Sequence, residues 1–199
     1  LLKKIFSLAI TNHKNKNYQL AESYYNQALV INPKHTKSFY NLGILFYEIK
    51  NFKRAMGCFE KALEIEPEYK NVNYNLGMIF YELGENLKAI TCYEKEIQIN
   101  PQHTKAYNNL GIVFYQLGER HKAKNFYEKA IQIDPNFEKA HNNLGILFYD
   151  VRETEKAINC FEKVLKIDPK HKDANYSLGK IHQGIGRQTL AVDNYQKSL

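Results

Sequence analysis

Apolar positions along the chain recur at the spacing of one face of an α-helix. In residues 36–69 a first set stands at i, i+3, i+4 and i+7, namely Phe39, Leu42, Gly43 and Phe46. A second set follows at i, i+4 and i+7, namely Ala55, Phe59 and Ala62. These sets predict one helix over about 36–49 and another over about 52–65. Because the turn between them is short, we expect the two helices to pack antiparallel as a hairpin.

This hairpin pattern returns every 34 residues. Its clearest marker is proline, which stands only at Pro33, Pro67, Pro101, Pro135 and Pro169. A proline ends the preceding helix, because it lacks a donor N–H and clashes with the turn before it. Periods of this length are typical of arrays in which each unit buries its apolar face on its neighbours. The sequence predicts an all-α solenoid of antiparallel helix hairpins, a single array over 1–199 with repeats 2–35, 36–69, 70–103, 104–137, 138–171 and 172–199.

A glycine inside the first helix of a repeat needs an explanation. Gly43 costs about 1 kcal/mol of helix propensity relative to alanine. We expect it where the two helices of the hairpin approach closely, opposite Ala55 and Ala62. The column continues with glycine at 77, 111, 145 and 179. Small residues at these positions would let the helix axes meet.

The repeated columns resemble those of the tetratricopeptide repeat family. They combine leucine-glycine, an aromatic residue, alanine, a second aromatic residue and the closing proline, as in Leu110, Gly111, Phe114, Ala123, Tyr127 and Pro135. The resemblance covers the whole chain and implies a right-handed superhelical solenoid whose first helices line a concave groove. Members of this family usually bind peptides in that groove.

A second stripe on each first helix faces away from the core and is the predicted peptide-binding groove. Its central asparagines are Asn41, Asn75, Asn109 and Asn143, joined by Asn108 and Asn142. Its tyrosines are Tyr40, Tyr47, Tyr74, Tyr81, Tyr115 and Tyr149. Carboxamides can pair with the N–H and C=O groups of an extended peptide, and tyrosine offers apolar area with a polar tip. The asparagine row is similar to that of the repeat domain in O-linked N-acetylglucosamine transferases.

Another interpretation of these residues remains open. The asparagines would then bridge neighbouring helices, and the tyrosines and isoleucines would pack between adjacent first helices.

Charged residues mark the edges of the groove, with Lys37, Lys105 and Lys139 at the start of the first helices and Glu48, Glu82 and Asp150 at their ends. No arginine lies in the asparagine column, so we do not expect the lysine, asparagine and arginine clamp that binds chaperone C-termini. The complete set of groove residues spans about residues 37–150.

Composition narrows the function less than the repeats do. The 28 basic and 21 acidic residues give a net charge of +7, which favours acidic partners or polyanions. RNA binding is the weaker interpretation, because many lysines lie on second helices away from the groove. No apolar run reaches the roughly 20 residues that span a membrane. The odd cysteine count favours a reducing compartment, and we expect the cytoplasm.

Residues that suggest other chemistry fall into repeat columns. Cys58, Cys92 and Cys160 share a column of the second helix and are expected at or near the core. His35, His103 and His171 share a loop position, so they cannot hold one metal ion. Gly184 and Gly186 are expected in a hairpin turn. No catalytic motif, cofactor site or metal site is predicted.

The sequence therefore predicts a protein-interaction scaffold that is not itself an enzyme and that binds an extended peptide or a helix of a partner protein. Two alternatives remain open. One is a self-assembling structural repeat protein that forms homo-oligomers, and the other is the substrate-presenting domain of a larger, transferase-type enzyme.

Overall fold

A computed structural model describes all 199 residues as twelve α-helices without a strand, which confirms the all-α repeat array. The helices are α1 (Leu2–Lys14), α2 (Tyr18–Ile31), α3 (Thr36–Glu48), α4 (Phe52–Ile65), α5 (Val72–Glu82), α6 (Asn86–Ile99), α7 (Thr104–Gln116), α8 (Arg120–Ile133), α9 (Glu138–Asp150), α10 (Thr154–Ile167), α11 (Lys172–Gly184) and α12 (Gln188–Ser198). The predicted helices over 36–49 and 52–65 correspond to α3 and α4. Odd-numbered helices are the first helices of the hairpins, and even-numbered helices are the second.

The chain divides into two compact units of three hairpins each. Unit 1 covers Leu1–Asn100 and contains α1 to α6, and unit 2 covers Pro101–Leu199 and contains α7 to α12. In each unit the two helices of a hairpin pack on each other, and each second helix contacts the first helix of the next hairpin.

The repeated glycine fits against an aromatic ring of the second helix. A Cβ atom at Gly43 would lie 2.5 Å from Cε1 of Phe59, and one at Gly111 would lie 2.4 Å from Cε1 of Tyr127. The expected close approach is therefore present, but the atoms nearest to the position of a Cβ at Gly43 belong to the ring of Phe59 and not to Ala55 or Ala62. The two alanines are buried in the same core.

The repeated histidines begin helices. The ring Nδ1 of His103 accepts a hydrogen bond from the Ala106 N–H at 3.2 Å, and His171 accepts one from Ala174 at the same distance. Such an acceptor satisfies one of the N–H groups that the first turn of a helix leaves unpaired. The loop position predicted from the sequence is thus the N-cap of the first helix.

Helix α5 uses a different cap, which the sequence did not reveal. Its N-cap residue Asn71 has a positive φ of 68°. The carboxylate of Glu96, which is fully buried on α6, accepts hydrogen bonds from the N–H of Asn71 at 2.8 Å and of Tyr74 at 3.4 Å. Glu96 stands where the neighbouring repeats have Ala62 and Ala130. A carboxylate replaces a small core residue here and stabilises the start of the first helix of its own hairpin.

Three further features have structural roles. Burial raises the pKa of the Cys58 and Cys160 thiols to about 11, so both are protonated near neutral pH. Asn175, which stands in an Asn-x-Ser sequence, is fully buried within α11 and has no room for a glycan. Gly186 has a positive φ of 78° and lies in the turn between α11 and α12, as predicted, whereas Gly184, which was also expected in that turn, is the last residue of α11.

Candidate peptide-binding surface

The predicted groove residues occupy one stripe on the first helices, which we call the first-helix face of each unit. Its half-buried members are Tyr40, Asn41, Tyr47, Tyr74 and Tyr81 in unit 1, and Asn109, Tyr115, Asn142 and Asn143 in unit 2. Its exposed members are Lys37, Glu48, Glu82, Lys105, Lys139, Tyr149 and Asp150. Only Asn75 and Asn108 are buried, at 8% and 3% exposure. Most of the predicted residues can therefore be reached from solvent.

Hydrogen bonds connect this face from one repeat to the next with an offset of 35 residues. The Asn75 side chain donates to the hydroxyl of Tyr40 at 3.4 Å in unit 1, and Asn143 donates to Oδ1 of Asn108 at 2.9 Å in unit 2. Both pairs join neighbouring first helices. The alternative interpretation, in which the asparagines bridge helices, thus describes Asn75 and Asn143 correctly, and these bonds fix the positions of the adjacent side chains.

The tyrosines follow the same offset with acidic partners. The Tyr47 hydroxyl donates to Glu82 in unit 1, and the Tyr115 hydroxyl donates to Asp150 in unit 2. In α1 the corresponding position is His13, whose Nε2 lies 3.2 Å from Oε2 of Glu48. The acidic residues that were predicted at the groove edge are therefore partners of the preceding repeat.

A cation accompanies each of these tyrosine–acid pairs. Lys50 Nζ lies 2.6 Å from Oε2 of Glu82 and 5.5 Å from the ring centre of Tyr47. The Arg120 guanidinium lies 4.2 Å from the Tyr115 ring, and its Nη2 is 3.9 Å from Oδ2 of Asp150. Sequence reasoning missed Lys50 and Arg120, because one lies in a turn and the other begins a second helix.

These contacts set the protonation states of the groups. Hydrogen bonds from Lys50 and Tyr47 lower the pKa of the Glu82 carboxyl. Burial, followed by the hydrogen bond to an acidic side chain, raises the pKa of Tyr47 and of Tyr115. Near neutral pH Glu82 is ionised and the two phenols are protonated. The Tyr47 phenol therefore donates a charge-assisted hydrogen bond to Glu82, which is stronger than a neutral one.

The remaining asparagines keep hydrogen-bonding capacity. The Asn41 side chain donates to the Lys37 carbonyl of its own helix at 2.7 Å. Asn109 accepts a weak bond from Asn108 at 3.4 Å. Asn142 differs, because its Oδ1 is buried without a hydrogen-bond partner. Since a carboxamide has two donor hydrogens and an acceptor oxygen, these local bonds leave Asn41 and Asn143 able to pair with a peptide backbone.

Two cavities open beside the first-helix faces at equivalent places. One, of about 260 Å³, lies in unit 1 and is lined in part by Ile10, His13 and Tyr25. The other, of about 230 Å³, lies in unit 2 and is lined in part by Ile146, Tyr149 and Phe161. The two sets of residues are 136 positions apart, which is four repeats. Both cavities therefore lie between two first helices, over the aromatic ring of a second helix.

Models of the tetratricopeptide repeat match residues 5–35, 36–69, 70–136 and 138–171. The chain belongs to the tetratricopeptide repeat family. Membership in this family makes it a protein-interaction scaffold. None of its helices is long and apolar enough to cross a membrane. No curated protein sequence matches the chain.

Several solved tetratricopeptide structures are similar to this chain. PilF of Pseudomonas aeruginosa has a TM-score of 0.87 at 19% identity, over 97% of this chain and 88% of that one. MamA has a TM-score of 0.71 at 25% identity, over 82% of this chain and 90% of that one. YrrB, described as a TPR protein with an unusual peptide-binding site, has a TM-score of 0.69 at 21% identity, over 87% of this chain and 90% of that one. At these identities the similarity concerns the fold.

Proposed function

We propose that this tetratricopeptide protein binds extended segments of partner proteins along the first-helix faces of its units. The observation that carries the proposal is a half-exposed row of tyrosine and carboxamide side chains, held in place by hydrogen bonds between successive repeats. Rows of this composition suit a peptide, because they offer both apolar area and paired hydrogen-bonding groups.

Rigidity of the face supports binding. Ordering a flexible side chain at an interface costs about 0.5–1.5 kcal/mol. Tyr47 and Tyr115 are already held by acidic partners, so that cost is met when the protein folds. The buried Asn75 and Asn108 act as supports, while Asn41, Asn109 and Asn143 are the proposed contacts to the peptide backbone.

Specificity would come from the side chains between these backbone contacts. Ile44, Met78, Ile112 and Ile146 are half-buried between the asparagine and tyrosine rows. They provide apolar area at regular intervals along each face. Lys37, Lys105 and Lys139 are exposed at one edge and favour acidic residues at the corresponding end of a ligand.

The proposal can be tested with a displayed library of random dodecapeptides selected on the full chain. Selected peptides are labelled, and their affinity is measured by fluorescence polarisation for Asn41→Ala in unit 1 and Tyr149→Ala in unit 2. Asn41 bonds only to its own helix and Tyr149 is 41% exposed, so neither change opens the core. The matched controls are Asn26→Ala and Leu87→Ala, which alter exposed residues of second helices.

Each selected peptide is expected to lose more than about fivefold in affinity with at least one of the two face variants, as for residues central to an interface. The controls should leave the affinity unchanged. Equal affinity for both face variants and the controls would contradict the proposal. Failure to select any peptide, together with light scattering that rises with protein concentration, would point instead to self-assembly.

A further inference from the structure

Three tyrosines of one repeat column, at the C-terminal end of the first helices, carry a cation over the ring. Lys50 lies 5.5 Å from the ring centre of Tyr47, and Arg120 lies 4.2 Å from that of Tyr115. For Tyr149 the cation is Lys180 of α11, at 5.9 Å. Different sequence positions supply these cations. A tyrosine with a cation over its ring is thus a recurrent local arrangement in this molecule.

At the first two tyrosines a carboxylate of the next repeat completes the arrangement. Glu82 accepts a hydrogen bond from the Tyr47 hydroxyl and pairs with Lys50 Nζ at 2.6 Å. Asp150 accepts from Tyr115 and lies 3.9 Å from Arg120. The chain therefore contains its own examples of a carboxylate held between a phenol and a cation.

At Tyr149 the chain supplies no such carboxylate. The residue 35 positions after Tyr149 is Gly184, which has no side chain. Tyr149 is 41% exposed, and Lys180 also lies 5.9 Å from the ring of Tyr176, which is 53% exposed. Both rings and the lysine are therefore open to a ligand.

The cavity of about 230 Å³ in unit 2 adjoins these groups. Tyr149, Tyr176 and Lys180 line it together with the apolar side chains of Ile146 and Phe161. Asp150 also lines it, but this carboxylate already accepts a hydrogen bond from Tyr115 and lies near Arg120. These partners offset its charge, and Lys180 remains the cation without a carboxylate partner.

We propose that the cavity between α9 and α11 binds a carboxylate of the partner peptide, with Lys180 and Tyr149 in the roles that Lys50 and Tyr47 have toward Glu82. An apolar side chain next to the carboxylate would lie over Ile146 and Phe161. The carboxylate comes from an aspartate or glutamate side chain or from the C-terminus of the peptide. This inference rests on the proposed function and specifies the chemistry of the ligand at one position.

The test uses two defined probes on the full chain, followed by the backbone amide signals in NMR. N-acetyl-Leu-Asp amide carries a side-chain carboxylate, and N-acetyl-Leu carries a terminal one. N-acetyl-Leu-Asn amide and N-acetyl-Leu amide are the neutral counterparts of the two probes. At least one acidic probe is expected to give saturable shifts around Tyr149 and Lys180. Its neutral counterpart should bind about three- to tenfold more weakly, as for a partly exposed charged hydrogen bond.

Two variants assign the effect to the proposed groups. Lys180→Gln is expected to reduce the affinity of the acidic probe about three- to tenfold and to abolish its preference over the neutral one. Tyr149→Phe keeps the ring and removes the hydroxyl donor, so it should reduce the affinity for the acidic probe only. Lys163→Gln removes an exposed lysine of α10 and should change the affinity for neither probe.

The outcomes separate this inference from the proposed function. Equal binding of acidic and neutral probes, or an unchanged preference in Lys180→Gln, would overturn the carboxylate site even if dodecapeptides from the library still bind the first-helix faces. A carboxylate-dependent signal at Tyr149 would uphold the site, even if no dodecapeptide is retained and extended-peptide binding fails. Whichever acidic probe binds more tightly identifies the source of the carboxylate.

Discussion

Replacing Gly43 by alanine would place a methyl group against the ring of Phe59. The added Cβ would lie 2.5 Å from Cε1 and 2.6 Å from Cδ1 of this ring. Phe59 is fully buried, so in a close-packed core its ring can move only by displacing neighbouring side chains. Overpacking of this kind costs about 1–3 kcal/mol, while the change from glycine to alanine within a helix contributes about 1 kcal/mol of stability. The expected net effect is a loss of about 0–2 kcal/mol.

The same hairpin contains a matched control in Gly57 of α4. A Cβ at Gly57 would meet no atom within 4 Å, so Gly57→Ala should stabilise the protein by about 0.5–1 kcal/mol. Because both variants gain similar helix propensity, their difference isolates the steric contribution. We expect Gly57→Ala to be more stable than Gly43→Ala by about 1–3 kcal/mol.

Urea unfolding followed by circular dichroism measures this difference through the transition midpoints, provided that the slopes agree. Adding Phe59→Leu to Gly43→Ala should cost less than the same change in the wild-type chain, because the smaller side chain makes room for the methyl group. Equal stability of the two glycine variants, or additive costs in the double variant, would refute the proposed close contact.

Three further predictions concern Glu96, Glu82 and Cys58. Glu96→Ala should destabilise the protein by about 1–3 kcal/mol in urea unfolding, because two N–H groups at the start of α5 lose their acceptor. Glu82→Gln should reduce the loss of stability on acidification. The lowered pKa of Glu82 gives stability that is present above the ordinary glutamate pKa of about 4.3 and is lost as the pH falls through the folded-state pKa. The urea midpoints of wild type and variant should therefore converge at low pH. Alkylation of Cys58 by iodoacetamide should be slow at pH 7.5 and should accelerate as the pH approaches 11. Mass spectrometry of quenched samples measures the rate. Fast labelling of the folded protein at pH 7.5 would contradict the raised pKa of this thiol.

Periodicity was sufficient to predict the hairpins, because buried positions on a helix must repeat at helical spacing. It also predicted the close approach at Gly43, since a glycine inside a helix needs a compensating contact. The atoms involved were not predictable, because the choice between Phe59 and the alanines depends on how far each helix is rotated.

The contacts between repeats were harder to predict. Aligning the chain at 34 residues places Tyr47 beside Tyr81, whereas its hydrogen bond reaches Glu82 at an offset of 35. The shift of one residue reflects the stagger between adjacent first helices, which columns of a sequence do not show. The capping role of Glu96 was not predicted for a similar reason, since its partners are backbone N–H groups at the start of the preceding helix α5.

Binding of peptides to the first-helix faces is tested most directly by mapping a selected dodecapeptide on the wild-type chain through changes in amide NMR signals. We expect the largest changes on the first-helix face of at least one unit, along α3 and α5 near Asn41 or along α7 and α9 near Asn109 and Tyr149. Changes concentrated on the outer faces of the second helices α4, α6, α8 and α10, with those three residues unaffected, would contradict the account.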